Sequence, residues 1–329
     1  MGEKREIVVV TGGTAGIGRA TVHEFAAHGA DVAVLARGED RLRATCREVE
    51  AAGGRALGLS VDVADHDAVE AAAARIEDEL GPIDVWVNNA FAGIFSTFMD
   101  MSDEEYRRVT DVTYMGQVHG VRAALKRMLP RDSGTIVLVG SALAYRGIPL
   151  QSAYCAAKHA IRGFTESLRC ELIHEESPIA VTEVHLPAIN TPQFDWARAR
   201  IGGRPSPVPP IFEPEEAADA ILHAAANPDQ REYWLGRSTA QVILGNMLVP
   251  AFLDRFLAHN AWEAQSRDSG HEHTRDNLYK PERGLHRTRG SFGWETKSGA
   301  ALLPGRDAVV HDQRLLGPGG DSVERGAVE

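Results

Sequence analysis

The chain has 329 residues, of which 43% are hydrophobic and 25% are charged, and its formal net charge is −11 at pH 7. The composition is that of an ordinary soluble globular protein, and the negative charge argues against a general affinity for nucleic acid or for an anionic membrane. Three cysteines without metal-ligand spacing predict neither a disulfide framework nor a metal site. The N-terminal residues lack the apolar core of a signal peptide, so we expect a cytoplasmic protein.

The first strand and helix of the chain flank a glycine-rich turn. Ile7–Val10 is a β-branched run, Thr11–Gly18 has the spacing G-x-x-x-G-x-G, and a helical pattern continues to Gly29. Glycine allows the backbone to turn tightly and to approach a pyrophosphate, which the N–H groups at a helix start can hold. This pattern predicts the first half of a nucleotide-binding unit.

The end of the second strand, Asp31–Leu35, indicates which dinucleotide is bound. An acidic residue at this place commonly binds the adenosine ribose hydroxyls. Here Ala36 offers no carboxylate, whereas the guanidinium of Arg37 suits a 2′-phosphate. The sequence therefore predicts NADP(H) in preference to NAD(H), the alternative being that Arg37 only caps a surface loop.

Polar residues also follow the third strand, Ala56–Val61, and the fourth strand, Val85–Val87. Asp62 and Val63 end the third strand, where they are expected to contact the adenine, although Asp62 is also suited to cap the helix that follows. Asn88–Asn89–Ala90 ends the fourth strand. These amides either brace the cofactor cleft by tying neighbouring strands together or simply form a turn.

Strands and helices continue to alternate along the chain. Ser102–Glu105 has the form of a capping box, Thr135–Val139 and Ile179–Leu186 are apolar strands, and Ala153–Ile173 is a long helix. This alternation predicts a parallel sheet covered on both faces, that is, a doubly wound, Rossmann-like α/β fold in a single domain.

A tyrosine and a lysine on the long helix are the candidates for chemistry. Tyr154 and Lys158 are four residues apart, so they lie on one helix face. A nearby ammonium lowers the pKa of a phenol from about 10, which would make Tyr154 a useful acid and base near neutral pH. Ser141, after the fifth strand, is placed to hydrogen-bond a substrate oxygen. The alternatives are a packed ring beside a solvated amine and a serine that caps a turn.

Together these motifs resemble the compact, single-domain branch of the short-chain dehydrogenase/reductase family over about residues 5–240. The resemblance implies hydride transfer between an alcohol or carbonyl and a nicotinamide cofactor. Tyr154 would be the acid and base, Ser141 would position the carbonyl, and Lys158 would lower the tyrosine pKa and hold the nicotinamide ribose. Thr113 stands where the family has an asparagine in its proton path, and Ala188 stands where it commonly has glycine. The implied cofactor contacts are Thr11, Gly12, Thr14, Gly16, Ile17, Gly18, Arg37, Asp62, Val63, Asn89, Ala90, Tyr154, Lys158, Pro187, Ile189 and Thr191.

The residues after the sixth strand are expected to form the substrate side. Phe194 and Trp196 either line an apolar pocket for a hydrophobic carbonyl or alcohol or pin the loop to the core. The apolar stretch Val242–Leu257 is too short and interrupted to span a membrane, and it lacks the cationic face of an interfacial helix. We expect it to pack on the core or on a second subunit, in a homo-oligomer.

The catalytic domain is expected to comprise residues 1–262. Residues 263–329 show no lasting periodicity, which predicts a disordered tail. Within it, we interpret His271–Glu272–His273 as a solvated patch and not as a metal site.

Two other functions compete with the oxidoreductase. An NADP(H)-occupied sensor or scaffold would use the tail to recruit a partner, and Thr113 keeps that hypothesis open. An epimerase or dehydratase is disfavoured by the glycine spacing.

Overall fold

The core of the molecule is an eight-stranded sheet. The computed structural model describes residues 5–269, 276–282 and 287–305. In chain order its strands are β1 (Ile7–Thr11), β2 (Asp31–Ala36), β3 (Ala56–Ser60), β4 (Val85–Asn88), β5 (Ile94–Phe95), β6 (Thr135–Val139), β7 (Ala180–His185), β8 (Ala188–Ile189), β9 (Arg198–Ala199), β10 (Gly203–Pro205), β11 (Ile211–Phe212), β12 (Glu232–Leu235), β13 (Ser266–Ser269), β14 (Thr296–Lys297) and β15 (Leu302–Pro304).

The order of the large sheet is β15-β12-β7-β6-β4-β1-β2-β3. All neighbouring pairs are parallel except β12 and β15. The chain leaves β1 in one direction to build β2 and β3 and then returns to the other side of β1 to build β4. In doubly wound sheets, ligands bind at the carboxyl ends of the strands beside such a reversal.

Helices cover both faces of this sheet, as the sequence predicted. They are α1 (Gly16–Ala27), α2 (Glu39–Ala51), α3 (His66–Glu79), α4 (Asp103–Thr110), α5 (Gly116–Met128), α6 (Ser152–His174), α7 (Gln193–Trp196), α8 (Pro214–Ala226), α9 (Arg237–Leu248) and α10 (Pro250–Ala264). No helix within the described ranges is both long and apolar enough to cross a membrane.

Alternation along the strands explains the two core layers. Val8 and Val10 of β1 pack into one apolar cluster with Phe25 of α1, whereas Val9 between them packs into the other cluster with Ile76 of α3. Successive side chains of a strand point to opposite faces, so a continuous β-branched run serves both layers.

The predicted capping box opens α4. The Ser102 hydroxyl accepts a hydrogen bond from Glu105 N at 3.3 Å, and the Glu105 carboxylate accepts one from Ser102 N at 2.9 Å. These bonds satisfy two backbone donors that a helix start leaves without partners.

The chain beyond residue 262 differs from the sequence expectation in its described parts. Strands β13, β14 and β15 pair with β10, β11 and β12, and Arg287 forms an ion pair with Asp195. The paired strands have only two to four residues, which is too short to show a periodic pattern in the sequence. His271–Glu272–His273 and the remainder of the predicted tail, residues 270, 274–275, 283–286 and 306–329, lie outside the described residues.

Candidate active site

A cavity of about 640 Å³ lies at the carboxyl ends of the central strands. It brings together most of the predicted site residues from six strand ends and two helices. Thr11 and Thr113 do not line it. The predicted residues that do are Gly12, Thr14, Gly16, Ile17, Gly18, Arg37, Asp62, Val63, Asn89, Ala90, Ser141, Tyr154, Lys158, Pro187, Ile189 and Thr191.

The glycine-rich turn connects β1 to α1 against the end of β4. Gly12 has a φ of +69°, and a Cβ on Gly18 would lie 2.4 Å from the Gly12 carbonyl oxygen and 2.4 Å from Asn89 Nδ2. The first position favours glycine because of its backbone conformation. The second requires glycine because neighbouring backbone leaves no space for a side chain.

Thr11 and Asn89 hold this turn in place. The Thr11 hydroxyl accepts hydrogen bonds from Asn89 N at 2.9 Å and Ala90 N at 3.1 Å, and Asn89 Nδ2 donates to the Thr11 carbonyl at 3.0 Å. The two strand ends are therefore tied together, as one interpretation of the amides predicted. Thr11 is buried behind the cavity wall, so its predicted contact with a cofactor is corrected to a supporting role.

The far end of the cavity, at the carboxyl ends of β2 and β3, is strongly cationic. Arg37 lines it beside Arg41, and Asp62 forms an ion pair with Arg108 at 2.5 Å. Burial lowers the pKa of Arg37, and Arg108 and Arg41 act in the same direction against the attraction of Asp62. A dianionic group placed here would relieve this repulsion between guanidinium groups.

The cap of α3 is Asp65 and not Asp62. The Asp65 carboxylate accepts a hydrogen bond from Ala68 N at 3.0 Å, and the helix begins at His66. The alternative interpretation of Asp62 as the cap is therefore wrong, and its carboxylate is held at the cavity by Arg108 and by the backbone N–H of Ala64.

Tyr154 and Ser141 meet in the cavity wall. Both line the cavity, the Tyr154 phenol is hydrogen-bonded to Ser141, and the Ser141 hydroxyl also accepts a bond from Leu143 N at 3.1 Å. Ser141 therefore caps a short 3-10 turn and contacts the tyrosine at the same time. Phe91 packs edge-on against the Tyr154 ring, with the ring centres 5.6 Å apart.

Burial raises the pKa of Tyr154 and outweighs the opposing effect of the Ser141 hydrogen bond. The net shift is therefore opposite to the lowering that was expected from Lys158. Lys158 Nζ lies 5.6 Å from the centre of the tyrosine ring and donates a 2.7 Å hydrogen bond to the Val139 carbonyl. The phenol consequently stays protonated at neutral pH.

Lys158 is itself almost completely buried, with 2% of its surface exposed. Burial lowers its pKa to about 8, and the carboxylate of Glu183 acts in the opposite direction. The amine is therefore mainly cationic at pH 7 and loses its charge as the pH rises through about 8.

Thr113 lies in a π-helical turn, Asp111–Met115, between α4 and α5. Its hydroxyl donates to the Ala92 carbonyl at 2.9 Å and accepts from Ala92 N at 3.0 Å. Both bonds join the turn to the segment after β4, and the side chain is fully buried and does not line the cavity. The structure thus places Thr113 as a brace, which does not support the predicted position in a proton path.

The loop after β7 forms the opposite wall. Pro187, Ile189 and Thr191 line the cavity, as do Phe194 and Trp196 of α7. Phe194 also contacts Phe95, with ring centres 5.9 Å apart, and Trp196 is 5% exposed. The two aromatic side chains therefore line the pocket and anchor the loop, so both sequence interpretations apply.

Two groups of lining residues were missed by the sequence analysis. One is the apolar face of α10, whose spacing of i, i+3, i+4 and i+8 is a detectable helical signal. The other comes from residues 276–282, whose sequence shows no signal. The residues are Leu253, Phe256, Leu257 and Ala261 in the first group and Asn277 and Pro281 in the second.

Comparison with known proteins agrees with this architecture. The family model described as short chain dehydrogenase matches residues 6–200. The chain is 33% identical over 294 residues to an uncharacterized oxidoreductase, YxnA, of Bacillus subtilis, covering 88% of this chain and 82% of that protein. The chain thus belongs to the short-chain dehydrogenase/reductase family.

Solved structures of the family share the fold. A short-chain dehydrogenase from Streptomyces avermitilis aligns with a TM-score of 0.66 and 27% identity over 78% of this chain and 97% of that chain. An actinorhodin polyketide ketoreductase variant solved with NADPH aligns with a TM-score of 0.60 and 30% identity, covering 68% of this chain and 91% of that chain.

Proposed function

We propose that the protein is an NADP(H)-dependent oxidoreductase that interconverts a carbonyl and an alcohol, with Tyr154 as the general acid and base. The observation that carries the proposal is the hydrogen-bonded pair of Tyr154 and Ser141, which faces a nucleotide-sized cavity beside a buried cationic Lys158. Membership of an oxidoreductase family supports the reaction class.

The residues around the cavity fit a dinucleotide with a 2′-phosphate. The glycine residues of the turn have no Cβ atoms and so expose backbone to the cavity, and Arg37 and Arg41 supply positive charge at its far end. Residues of the turn would hold the pyrophosphate, Arg37 the 2′-phosphate, and Lys158 the nicotinamide ribose. NADPH in the related ketoreductase structure supports the same choice. When bound, the cofactor supplies or accepts a hydride.

The side chains of this protein then handle the proton. Ser141 and Tyr154 both present hydroxyl groups to a carbonyl oxygen in the cavity. Because Tyr154 is protonated at neutral pH, it can donate its proton to that oxygen as negative charge develops there. The ammonium of Lys158, held in place by the Val139 carbonyl, stabilises the phenolate that remains. In the reverse direction the phenolate accepts the proton of an alcohol.

An apolar substrate is favoured by the remaining walls of the cavity. Phe91, Phe95 and Phe194 line the cavity, as do Leu253, Phe256 and Leu257 of α10. A further group of large apolar side chains on α9 and α10 is exposed: Leu244, Met247, Leu248 and Phe252. We therefore propose a carbonyl or alcohol with a long or bulky hydrocarbon part.

Replacing Tyr154 with Phe tests the reaction. We expect kcat/KM for NADPH-dependent ketone reduction to fall by at least about 10²-fold, because general acid catalysis typically contributes 10²–10⁴-fold. The Kd for NADPH should change by less than about threefold, since the ring is retained. Tyr114→Phe is the matched control, because Tyr114 contacts Phe164 and does not line the cavity. Equal rates for wild type and Tyr154→Phe would refute the role.

A ketone series tests the substrate class. We expect 2-dodecanone to be reduced with a kcat/KM at least about tenfold above that of 2-butanone, because each buried methylene contributes about 0.8 kcal/mol. Leu257→Asp should abolish this preference while leaving 2-butanone reduction measurable. Absence of any chain-length preference would contradict the apolar assignment. Tight NADPH binding without turnover of any carbonyl or alcohol would instead favour the sensor.

A further inference from the structure

Residues 276–282, which we call the strap, lie across the cationic end of the cavity. Asn277 and Pro281 line it together with Arg37, and Leu278 is 1% exposed because its side chain enters the main apolar cluster. The strap lies beyond the part of the chain that the family model matches. It borders the end of the cavity that we assign to the 2′-phosphate, where the two dinucleotides differ.

The backbone of the strap binds the arginine that we assign to the 2′-phosphate. Arg37 donates one hydrogen bond to the Leu278 carbonyl at 3.1 Å and another to the Asn277 carbonyl. A guanidinium group has five N–H donors, so three remain for a ligand. Arg108 also donates to the Leu278 carbonyl, at 3.1 Å, and thereby fixes the carbonyl that Arg37 uses.

Asp276, the first residue of the strap, anchors it to Arg198. Its carboxylate accepts a hydrogen bond from Leu278 N at 3.0 Å and one from the guanidinium of Arg198 at 2.9 Å. Asn277 N donates to the Trp196 carbonyl at 3.1 Å. The strap therefore connects the adenosine end of the cavity to the loop of Trp196 and Arg198 on the substrate side.

A long, flexible arginine binds a phosphate more tightly when its orientation is fixed beforehand, because ordering the side chain on binding costs free energy. Two carbonyl oxygens fix the plane of the Arg37 guanidinium without neutralising its charge. We infer that the strap positions Arg37 for the 2′-phosphate, so that the preference for NADP(H) over NAD(H) depends on Asp276 and Leu278 as well as on Arg37. This inference rests on the proposed function, since it takes NADP(H) as the cofactor.

A double-mutant cycle on the full-length protein tests the inference. The measurement is the Kd of NADPH and of NADH, determined by fluorescence titration for wild type, Arg37→Ala, Asp276→Ala and the double variant. Arg37→Ala should lower the selectivity for NADPH by about 10- to 100-fold, as expected for a charge-assisted bond to a phosphate. Asp276→Ala should lower it by about 3- to 10-fold, and the double variant no further than Arg37→Ala alone.

Glu79→Ala is the matched control, because it removes a carboxylate paired with Arg75 on the exposed face of α3. Leu278→Ala provides a second way to loosen the strap while Asp276 keeps its ion pair, and it should lower the selectivity as Asp276→Ala does. Thermal unfolding of each variant verifies that it is folded.

The outcomes separate the two proposals. If Arg37→Ala lowers selectivity whereas Asp276→Ala and Leu278→Ala leave it unchanged, or weaken both cofactors equally, the strap inference is overturned and the cofactor assignment survives. Additive losses in the double variant also overturn the inference, because the strap would then act independently of Arg37. If Arg37→Ala leaves selectivity unchanged, the assignment of the 2′-phosphate to Arg37 fails and the inference fails with it.

Discussion

The buried charge of Lys158 makes a prediction about stability that needs no substrate. Burial lowers the pKa of Lys158 to about 8 from the ordinary lysine value of 10.5. Because the folded state binds this proton more weakly than the unfolded state does, the charged lysine opposes folding. The cost is full below pH 8 and disappears as the pH rises toward 10.5. At neutral pH it corresponds to about 3 kcal/mol, since one pKa unit equals about 1.4 kcal/mol.

The Lys158→Met variant removes this cost. We expect the free energy of unfolding of the wild type, measured with urea, to increase by about 2 kcal/mol relative to that of the variant between about pH 7 and pH 9.5. Taking the difference cancels other groups that titrate in this range, such as Cys155, whose pKa burial raises to about 11.

Lys126→Met is the matched control, because Lys126 is a well-exposed lysine on α5. Its difference from the wild type should stay nearly constant over the same pH range. A pH-independent difference for Lys158→Met would refute the reasoning, because the amine would then have the same pKa in the folded and unfolded states.

Three further predictions concern groups around the cavity. Burial acts to raise the pKa of Glu105, but hydrogen bonds from Arg200, Ser102 N and Arg198 lower it to about 2. The ionised carboxylate therefore stabilises the fold above about pH 4.5, and this stabilisation is lost as the pH falls toward 2. Acid unfolding followed by circular dichroism should show the wild type losing more stability over this range than Glu105→Gln, and equal losses would contradict the prediction. Thr113→Val should lower the free energy of unfolding by about 1–3 kcal/mol, because the N–H and the carbonyl of Ala92 both lose their hydrogen bond to the Thr113 hydroxyl. Urea unfolding measures this loss, and a variant as stable as the wild type would argue against a bracing role. Gly18→Ala should cost about 1–3 kcal/mol and weaken NADPH binding, since the added Cβ would overlap with backbone 2.4 Å away. Unchanged binding in a titration would show that the turn can move aside.

The doubly wound sheet and the position of the site could be predicted because both depend on local patterns. The β-branched run before Thr11 and the glycines after it dictate a strand, a tight turn and a helix in that order. The four-residue spacing of Tyr154 and Lys158 places both on one face of α6, and both line the cavity.

Other features depend on contacts that sequence does not display. The pKa of Tyr154 is set by how deeply the ring is buried, which results from the packing of several elements and not from its neighbour on the helix. Thr113 could bind either a water or the backbone, and only the approach of Ala92 decides between them. The three residues of β15 that pair with β12 are no more apolar than the residues of many loops.

The part of the chain that the family model matches and the part that follows it have different proposed roles. Residues 6–200, which the family model matches, contain the glycine turn, Ser141, Tyr154 and Lys158, and so contain the groups proposed for hydride and proton transfer. Helix α10 and the strap also line the cavity, and both are outside that range. Because the residues with which these later segments line the cavity include no acid or base, substitutions in them should alter which carbonyl and which dinucleotide are accepted while the chemistry at Tyr154 is preserved.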